Sequence, residues 1–163
     1  MKRVTSPLRT LVVLTVGSLV FVSAAPAGPA ANKQHVVMEV KSEVGSAAGT
    51  FVLMPSGSGP ITSDAGTISL TVSQKHVVRS GQSVIIFTIA STWTGKQGTM
   101  VLRQRIDDVA GGGSYRVGTG VWSLVSASGT NQYAGLSGGG RSAYVVPPHG
   151  PVLFRYEGFV TKP

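Results

Sequence analysis

Between Tyr115 and Val146 the chain reads strand, glycine-studded connection, strand, and this stretch limits the folds open to it more than any other. The run from Tyr115 to Val125 is dense in β-branched and aromatic residues, the types that suit a pleated surface. With side chains alternating, Val117, Thr119, Val121 and Val125 share one face, and Gly118, Gly120, Trp122 and Leu124 share the other. Glycines inside a strand mark a bend, a bulge or the close approach of a ring or another backbone. A tightly curled sheet needs such places. From Ser128 to Gly140 the connection supplies glycines and Asn131, residues able to take positive φ. Tyr133 and Leu136, three apart within it, predict a compact turn whose apolar side plugs one end of a barrel. The strand that follows, Arg141 to Val146, stops at Pro147-Pro148, which cannot donate to a ladder.

The same grammar runs through the rest of the chain. Strands are predicted over His35–Val44, Gly49–Met54, Gly66–Ser73, Val84–Trp93, Thr99–Ile106, Tyr115–Ala127, Ser142–Val146 and Val152–Thr161. Turn signals fall between nearly all of them: Pro55 to Pro60, Ser80-Gly81, Gly95 to Gly98, Gly111 to Gly113 and Pro147 to Pro151. Low charge and 22 glycines among many β-branched residues argue for all-β structure rather than disorder. About eight short strands in succession predict a single small antiparallel β-barrel, whose closure leaves no open edge. A two-sheet β-sandwich has the same sequence appearance and is the alternative. Ile68, Leu70 and Val72 alternate with hydroxyl residues, as in a strand wetted on one side. By contrast, Val84 to Ala90 is apolar on both faces. One face of it would fill the interior, and the other needs cover from a neighbouring subunit or a bound apolar ligand.

Ahead of the strands, Lys2, Arg3 and Arg9 precede an apolar run from Leu11 to Val22 and then small residues to Ala31. That order predicts a secretory signal peptide over residues 1–27, forming a signal helix, then a flexible mature N-terminus over 28–34 and a barrel domain over 35–163. The apolar run falls short of the ~20 residues a spanning helix needs, which disfavours an uncleaved anchor. The expected destination is secreted or periplasmic, extracytoplasmic in either case. There is no cysteine, so neither lipid modification at cysteine nor disulfide stapling applies. The whole chain carries a net charge of +8, and without the three leader bases the remainder sits at about +5. Its bases are dispersed from Lys33 to Lys162, whereas nucleic-acid binding calls for a clustered basic stripe with interleaved aromatics. No nucleic-acid partner is expected.

Motif chemistry narrows the field further. His35, His76 and His149 sit far apart with no cysteine, so no metal is expected, because a metal site needs converging ligands. Asp107 and Asp108 are adjacent and should point to opposite faces, which suits strand termination and solvation better than paired acid–base work. Gly135-Leu-Ser-Gly-Gly139 matches G-x-S-x-G, but a nucleophile elbow needs a strand before it and a helix after it. No glycine run opens a helix, so phosphate and dinucleotide loops fail the same test. Neither catalytic residues nor a cofactor are expected. What remains is apolar and aromatic: Phe87, Trp93, Met100, Trp122, Tyr144, Phe154 and Tyr156. Either these pack the interior of a small eight-stranded barrel, or they line a lumen that admits one small hydrophobic molecule. In the second case Arg103, Arg105 or Glu157 would be the orienting polar group.

The run Trp122 to Leu124, with Gly129-Thr130, Tyr133-Ala-Gly-Leu136 and Gly138 to Gly140, resembles the signature of the allene oxide cyclase/dirigent-like β-barrel superfamily. Gly66 to Val72 is similar to an earlier strand of that group. Where the signature has a further glycine, this chain has Asn131, which still tolerates a left-handed backbone. The resemblance implies a β-barrel and, since members are often trimeric, a homo-oligomer. It implies two kinds of activity. Dirigent proteins guide the coupling of radicals without making them, which fits non-catalytic binding or shielding of a small hydrophobic ligand. Allene oxide cyclases are isomerases that mould a flexible substrate in an apolar cavity. A structural or envelope module binding a partner chain on its outer face is a third expectation.

Overall fold

A computed structural model describes residues 32–109 and 115–163 and shows a closed barrel of eight antiparallel strands. The strands are β1 (Asn32–Ser42), β2 (Ala48–Ser56), β3 (Asp64–Arg79), β4 (Gln82–Gly95), β5 (Gly98–Val109), β6 (Arg116–Leu124), β7 (Ser137–Val146) and β8 (Val152–Lys162). Each pairs with its neighbour in sequence, and β8 closes onto β1 from Asn32↔Lys162 to Ser42↔Val152. The single closed sheet sets aside the sandwich. All eight predicted strands are present. The signal peptide and its helix lie outside the described residues, as does the Gly111–Gly113 turn.

Several extents differ from expectation, each for a physical reason. β1 begins at Asn32 rather than His35, because Gln34 is buried and closes the β2–β3 loop: its Nε2 donates to Gly57 O at 3.1 Å and its Oε1 accepts from Ile61 N at 3.1 Å. β7 begins at Ser137, so Gly138 to Gly140 lie inside a strand and not in the connection. A Cβ at Gly140 would stand 2.0 Å from Glu157 O, and one at Gly139 would stand 2.7 Å from Trp122 O. There the three strands β6, β7 and β8 run too close for side chains. β3 runs well past its predicted end, to Arg79, and β4 begins slightly early, at Gln82, so that they meet at a two-residue turn at Ser80-Gly81 with φ of 49° and 79°. Two positive φ values in a two-residue loop match the right-handed twist of the flanking strands.

That long hairpin leaves an edge, which closure was expected to remove. β2 pairs with β3 only as far as Ala48↔Ser69, and Ala47 O accepts one more bond from Leu70 N at 2.7 Å. Beyond this, β3 has a neighbour only in β4. The edge carries Lys75 and Arg79, charges that discourage further strand addition.

The barrel's two ends are built differently. At one end stand the chain termini of the barrel, the β2–β3 loop, the β4–β5 turn and the β6–β7 connection. That connection folds into a single 3-10 turn over Asn131–Tyr133, and Tyr133 and Leu136 are both buried in the core, as the plug was expected to be. The interior beneath the plug is filled: Trp93 is fully buried, with its ring 4.9 Å from Phe51 and 5.4 Å from Tyr156, centroid to centroid. The other end carries the β1–β2 turn and the tip of the β3–β4 hairpin.

Candidate ligand-binding mouth of the barrel

Strand alternation decides which residues face the mouth. On β6, Gly118, Gly120, Trp122 and Leu124 turn inward, and Val117, Thr119 and Val121 face solvent. On β5 the inward row is Met100, Leu102, Gln104, Ile106 and Asp108, whereas Arg103 and Arg105 are exposed. Glu157 is exposed too, with Oε1 3.2 Å from His35 Nε2. None of the three residues expected to orient a ligand therefore points into the lumen.

The seven aromatic and apolar candidates divide between two levels. Trp93, Met100, Trp122 and Tyr156 belong to the filled half, none more than 3% exposed. Phe87, Tyr144 and Phe154 line a cavity of about 420 Å³ that opens at the unplugged end. Leu70, Ile89, Ile106, Val146 and Val152 complete its apolar wall, and the β1–β2 turn from Ser42 to Ala47 forms part of the rim. Tyr144 is the hub of the ring cluster. Its centroid lies 5.6 Å from that of Phe154, and Phe87 meets it edge-on at 6.4 Å. A Cβ at Gly118 would come within 2.1 Å of Tyr144 Cε1, so the strand glycine is what lets this ring lie flat against the wall.

A polar layer separates the two halves. Tyr156 Oη donates to Gln104 Oε1 at 2.8 Å, and Gln104 Nε2 donates to Ser142 Oγ at 2.9 Å. Nearby, Trp93 Nε1 donates to Ser91 Oγ at 2.8 Å. All of these groups are buried, and their mutual bonds satisfy them without water. Gln104, Ser142 and Tyr156 stand one inward position below Ile106, Tyr144 and Phe154, and so form the floor of the mouth. Burial raises the Tyr156 phenol well above its ordinary range, against the pull of the Gln104 hydrogen bond.

At the rim the adjacent acids take opposite roles. Asp107 faces out, where its Oδ2 accepts from Arg79 Nη1 at 2.7 Å and its Oδ1 lies 3.4 Å from Arg105 Nε. Asp108 faces in and is fully buried, which overturns its expected role as a solvated strand end. Its Oδ2 accepts from the Arg116 guanidinium, which is itself half-exposed at the cavity wall, 5.9 Å above the Phe87 ring. The bond to Asp108 raises the Arg116 pKa against the opposing effect of burial. Burial, reinforced by the Asp108 carboxylate, raises that of Tyr144.

At the plugged end the sequence reading missed Asp64. Its carboxylate accepts from Ala65 N at 2.8 Å, Lys96 N at 3.0 Å, Gln97 N at 3.1 Å and Tyr133 Oη at 2.7 Å. Burial pushes the Asp64 pKa up, but these four donors outweigh it and the net shift is downward. The four bonds tie the start of β3, the β4–β5 turn and the plug into one knot.

A second concavity, of about 780 Å³, lies on the outer face of the sheet between Arg105, Val121, Arg141 and Arg155. Its floor is made by Gly120 and Ala143, and its walls are charged side chains in water. It is larger than the mouth but encloses nothing, and small-molecule sites are enclosed and mainly apolar. Among the described residues, no group of three or more histidine, aspartate or glutamate side chains is placed to hold a metal ion. The G-x-S-x-G serine, Ser137, opens β7 and bonds Thr161 Oγ1 at 2.9 Å, with a strand rather than a helix after it.

Fold and site together define a meander barrel of eight strands, stoppered at one end, filled to its waist and open at the other end onto an aromatic-lined mouth. Comparison of the chain with protein-family models, curated proteins and solved structures found no match in any of the three.

Proposed function

We propose that this protein is an exported, non-catalytic barrel of the allene oxide cyclase/dirigent-like kind that binds or shields a small hydrophobic molecule in its open mouth. One observation carries the reading: a cavity of about 420 Å³ walled by Phe87, Tyr144 and Phe154 stands above a floor whose polar groups are already satisfied. A wall of this kind gains from covering apolar surface, at about 25 cal/mol per Å² removed from water. A thermal-shift screen of the purified protein against fatty acids and phenolics tests it. A ligand at a hundred times its Kd should stabilise the fold by about 2.7 kcal/mol. No shift with any member of either class removes the proposal.

A second reading, self-association or docking of a partner through the outer sheet, is favoured by Val117, Val121 and Leu153. These lie exposed on the outside of β6 and β8, with Val145 paired between Val117 and Leu153. A light-scattering mass of one chain at micromolar concentration removes the homo-oligomer.

A further inference from the structure

Beyond Leu70 the wall of the barrel stops on one side while β3 runs on. Leu70 N donates to Ala47 O, so the alternate residues that follow, Val72, Gln74, His76 and Val78, turn their N–H and C=O groups to that same side. The residues between them turn theirs to β4. Among the described residues, those four have no ladder partner on the open side. The line of β2 ends where the chain turns at Glu43 to Ala47, and three exposed valines border the place it leaves: Val44 is 65%, Val72 51% and Val78 75% exposed. A row of unpaired backbone groups beside exposed apolar side chains is a template for one more strand. We propose that this edge binds an extended, acidic segment of a partner protein, which adds as a strand antiparallel to β3 in the line of β2.

Charge selects the partner. From Ala65 to Gly95 the chain holds Lys75, His76 and Arg79 and no acid. Lys75 is exposed and makes no ion pair among the described residues. Asp107 is shared between Arg79 at 2.7 Å and Arg105 at 3.4 Å, so one positive charge there goes unanswered. Glu43 lies on the β1–β2 turn, which meets β3 at Leu70, short of these bases. Two copies of the edge would bring bases against bases, whereas an acidic strand is drawn in. The charges that turn away a second copy are the ones an acidic segment meets. Alternation then sets the pattern of the partner: Lys75 and Arg79 lie four apart on the outer face, and Val72 and Val78 lie on the inner one. The added strand needs two acids four residues apart on one face and β-branched or apolar residues on the other. The edge is available whatever the mouth holds.

The test is the fluorescence anisotropy of the fluorescein-labelled peptide EVTVETTV titrated with the full-length protein. With its first residue opposite Arg79, its glutamates face Arg79 and Lys75, and the amides of its second and fourth residues face Val78 and His76. The reversed-charge peptide KVTVKTTV should bind about tenfold more weakly, because two opposite-charge cross-strand pairs become like-charge pairs. N-methylation of the second and fourth residues should abolish binding. N-methylation of the third and fifth, whose amides face away, should leave it within about twofold. On the protein, Gln74→Pro removes an edge-facing N–H and spares the bonds to β4, so it should keep the circular dichroism of the sheet and lose the peptide. Lys75→Glu, at an exposed position, should erase the preference between the two peptides. Equal binding of both peptides, indifference to the placing of the methyl groups, or binding that survives Gln74→Pro each overturns the proposal. So does the absence of saturable binding by EVTVETTV. A dimer in light scattering that Gln74→Pro dissociates gives the edge to a second copy and overturns it too.

Discussion

Asp64→Ala should unpin the stopper of the barrel, and its cost can be worked from the geometry. The substitution removes four hydrogen bonds to one carboxylate, but they are not equal. The bond from Ala65 N is local, and Lys96 N and Gln97 N sit in a turn that water can reach, so much of their loss is recovered by solvation. Tyr133 is 1% exposed, and its hydroxyl has no replacement for Asp64 Oδ2 at 2.7 Å. A hydrogen bond to a charged group contributes about 1.5–3 kcal/mol, and stranding its buried partner adds to that. The total comes to about 3 kcal/mol, a large part of the 5–15 kcal/mol typical of a domain. At roughly 4 °C per kcal/mol for a domain of this size, Tm falls by about 12 °C.

Tyr133→Phe alone should cost about 1.5 kcal/mol, and the double substitution less than the sum, with a coupling of about 1 kcal/mol because the two residues share one bond. Urea unfolding followed by tryptophan fluorescence measures all three, since Trp93 and Trp122 lie in the same buried cluster as Tyr133. The native Asp64 pKa lies below its ordinary 3.8, so its contribution is complete above that value and drains away as pH falls through it toward the native pKa. Asp64→Asn should flatten this acid limb of the stability curve. A Tm loss below about 3 °C for Asp64→Ala, or a coupling near zero, would show that the plug is held by apolar packing alone.

Two further outcomes are expected. Gly118→Ala places a methyl group 2.1 Å from the Tyr144 ring and 2.7 Å from Ile106 Cγ2, so the ring must swing into the mouth. Binding of a neutral apolar fluorophore such as N-phenylnaphthylamine in the mouth should fall at least tenfold with a stability loss of about 1–3 kcal/mol, and unchanged binding would show that Tyr144 does not wall the cavity. Tyr133, Tyr144 and Tyr156 all have phenol pKa values raised first by burial. Their neutral forms stabilise the fold below the ordinary tyrosine value of 10.0, and this contribution is lost as pH rises above it. Tyrosinate absorbance from these three should therefore appear together with loss of tertiary structure in an alkaline titration, and ionisation ahead of unfolding would contradict their placement.

The barrel was legible in the sequence because its signals are local. Alternation, turn residues and the strand glycines each act within a few positions, and together they mark eight strands and the inward face of β6. Tyr133 and Leu136 could be read as a plug because their spacing in a glycine-rich connection leaves a short turn little else to do with two large apolar groups. The seven candidate lining residues are all inward, but sequence has no means of saying at what height along the barrel each one stands. Height follows from the register between strands: Phe87, Tyr144 and Phe154 rise into the mouth, while Trp93, Met100, Trp122 and Tyr156 sink into the packing.

The charged residues were the hardest to read, since their meaning lies wholly in long-range pairing. Asp64 and Tyr133 are 69 positions apart, and neither has a neighbour in sequence that announces the other. In the sequence, Asp108 reads as a solvated strand end, because acids heading a glycine-rich loop commonly are. Its fate is settled instead by Gly118 across the ladder, whose missing side chain opens the space into which Tyr144 leans. The ring fills that position, so the glycine decides how Tyr144 lies. Any larger residue there would push the ring off the wall and into the cavity, and the glycine of β6 thereby sets the shape of the mouth.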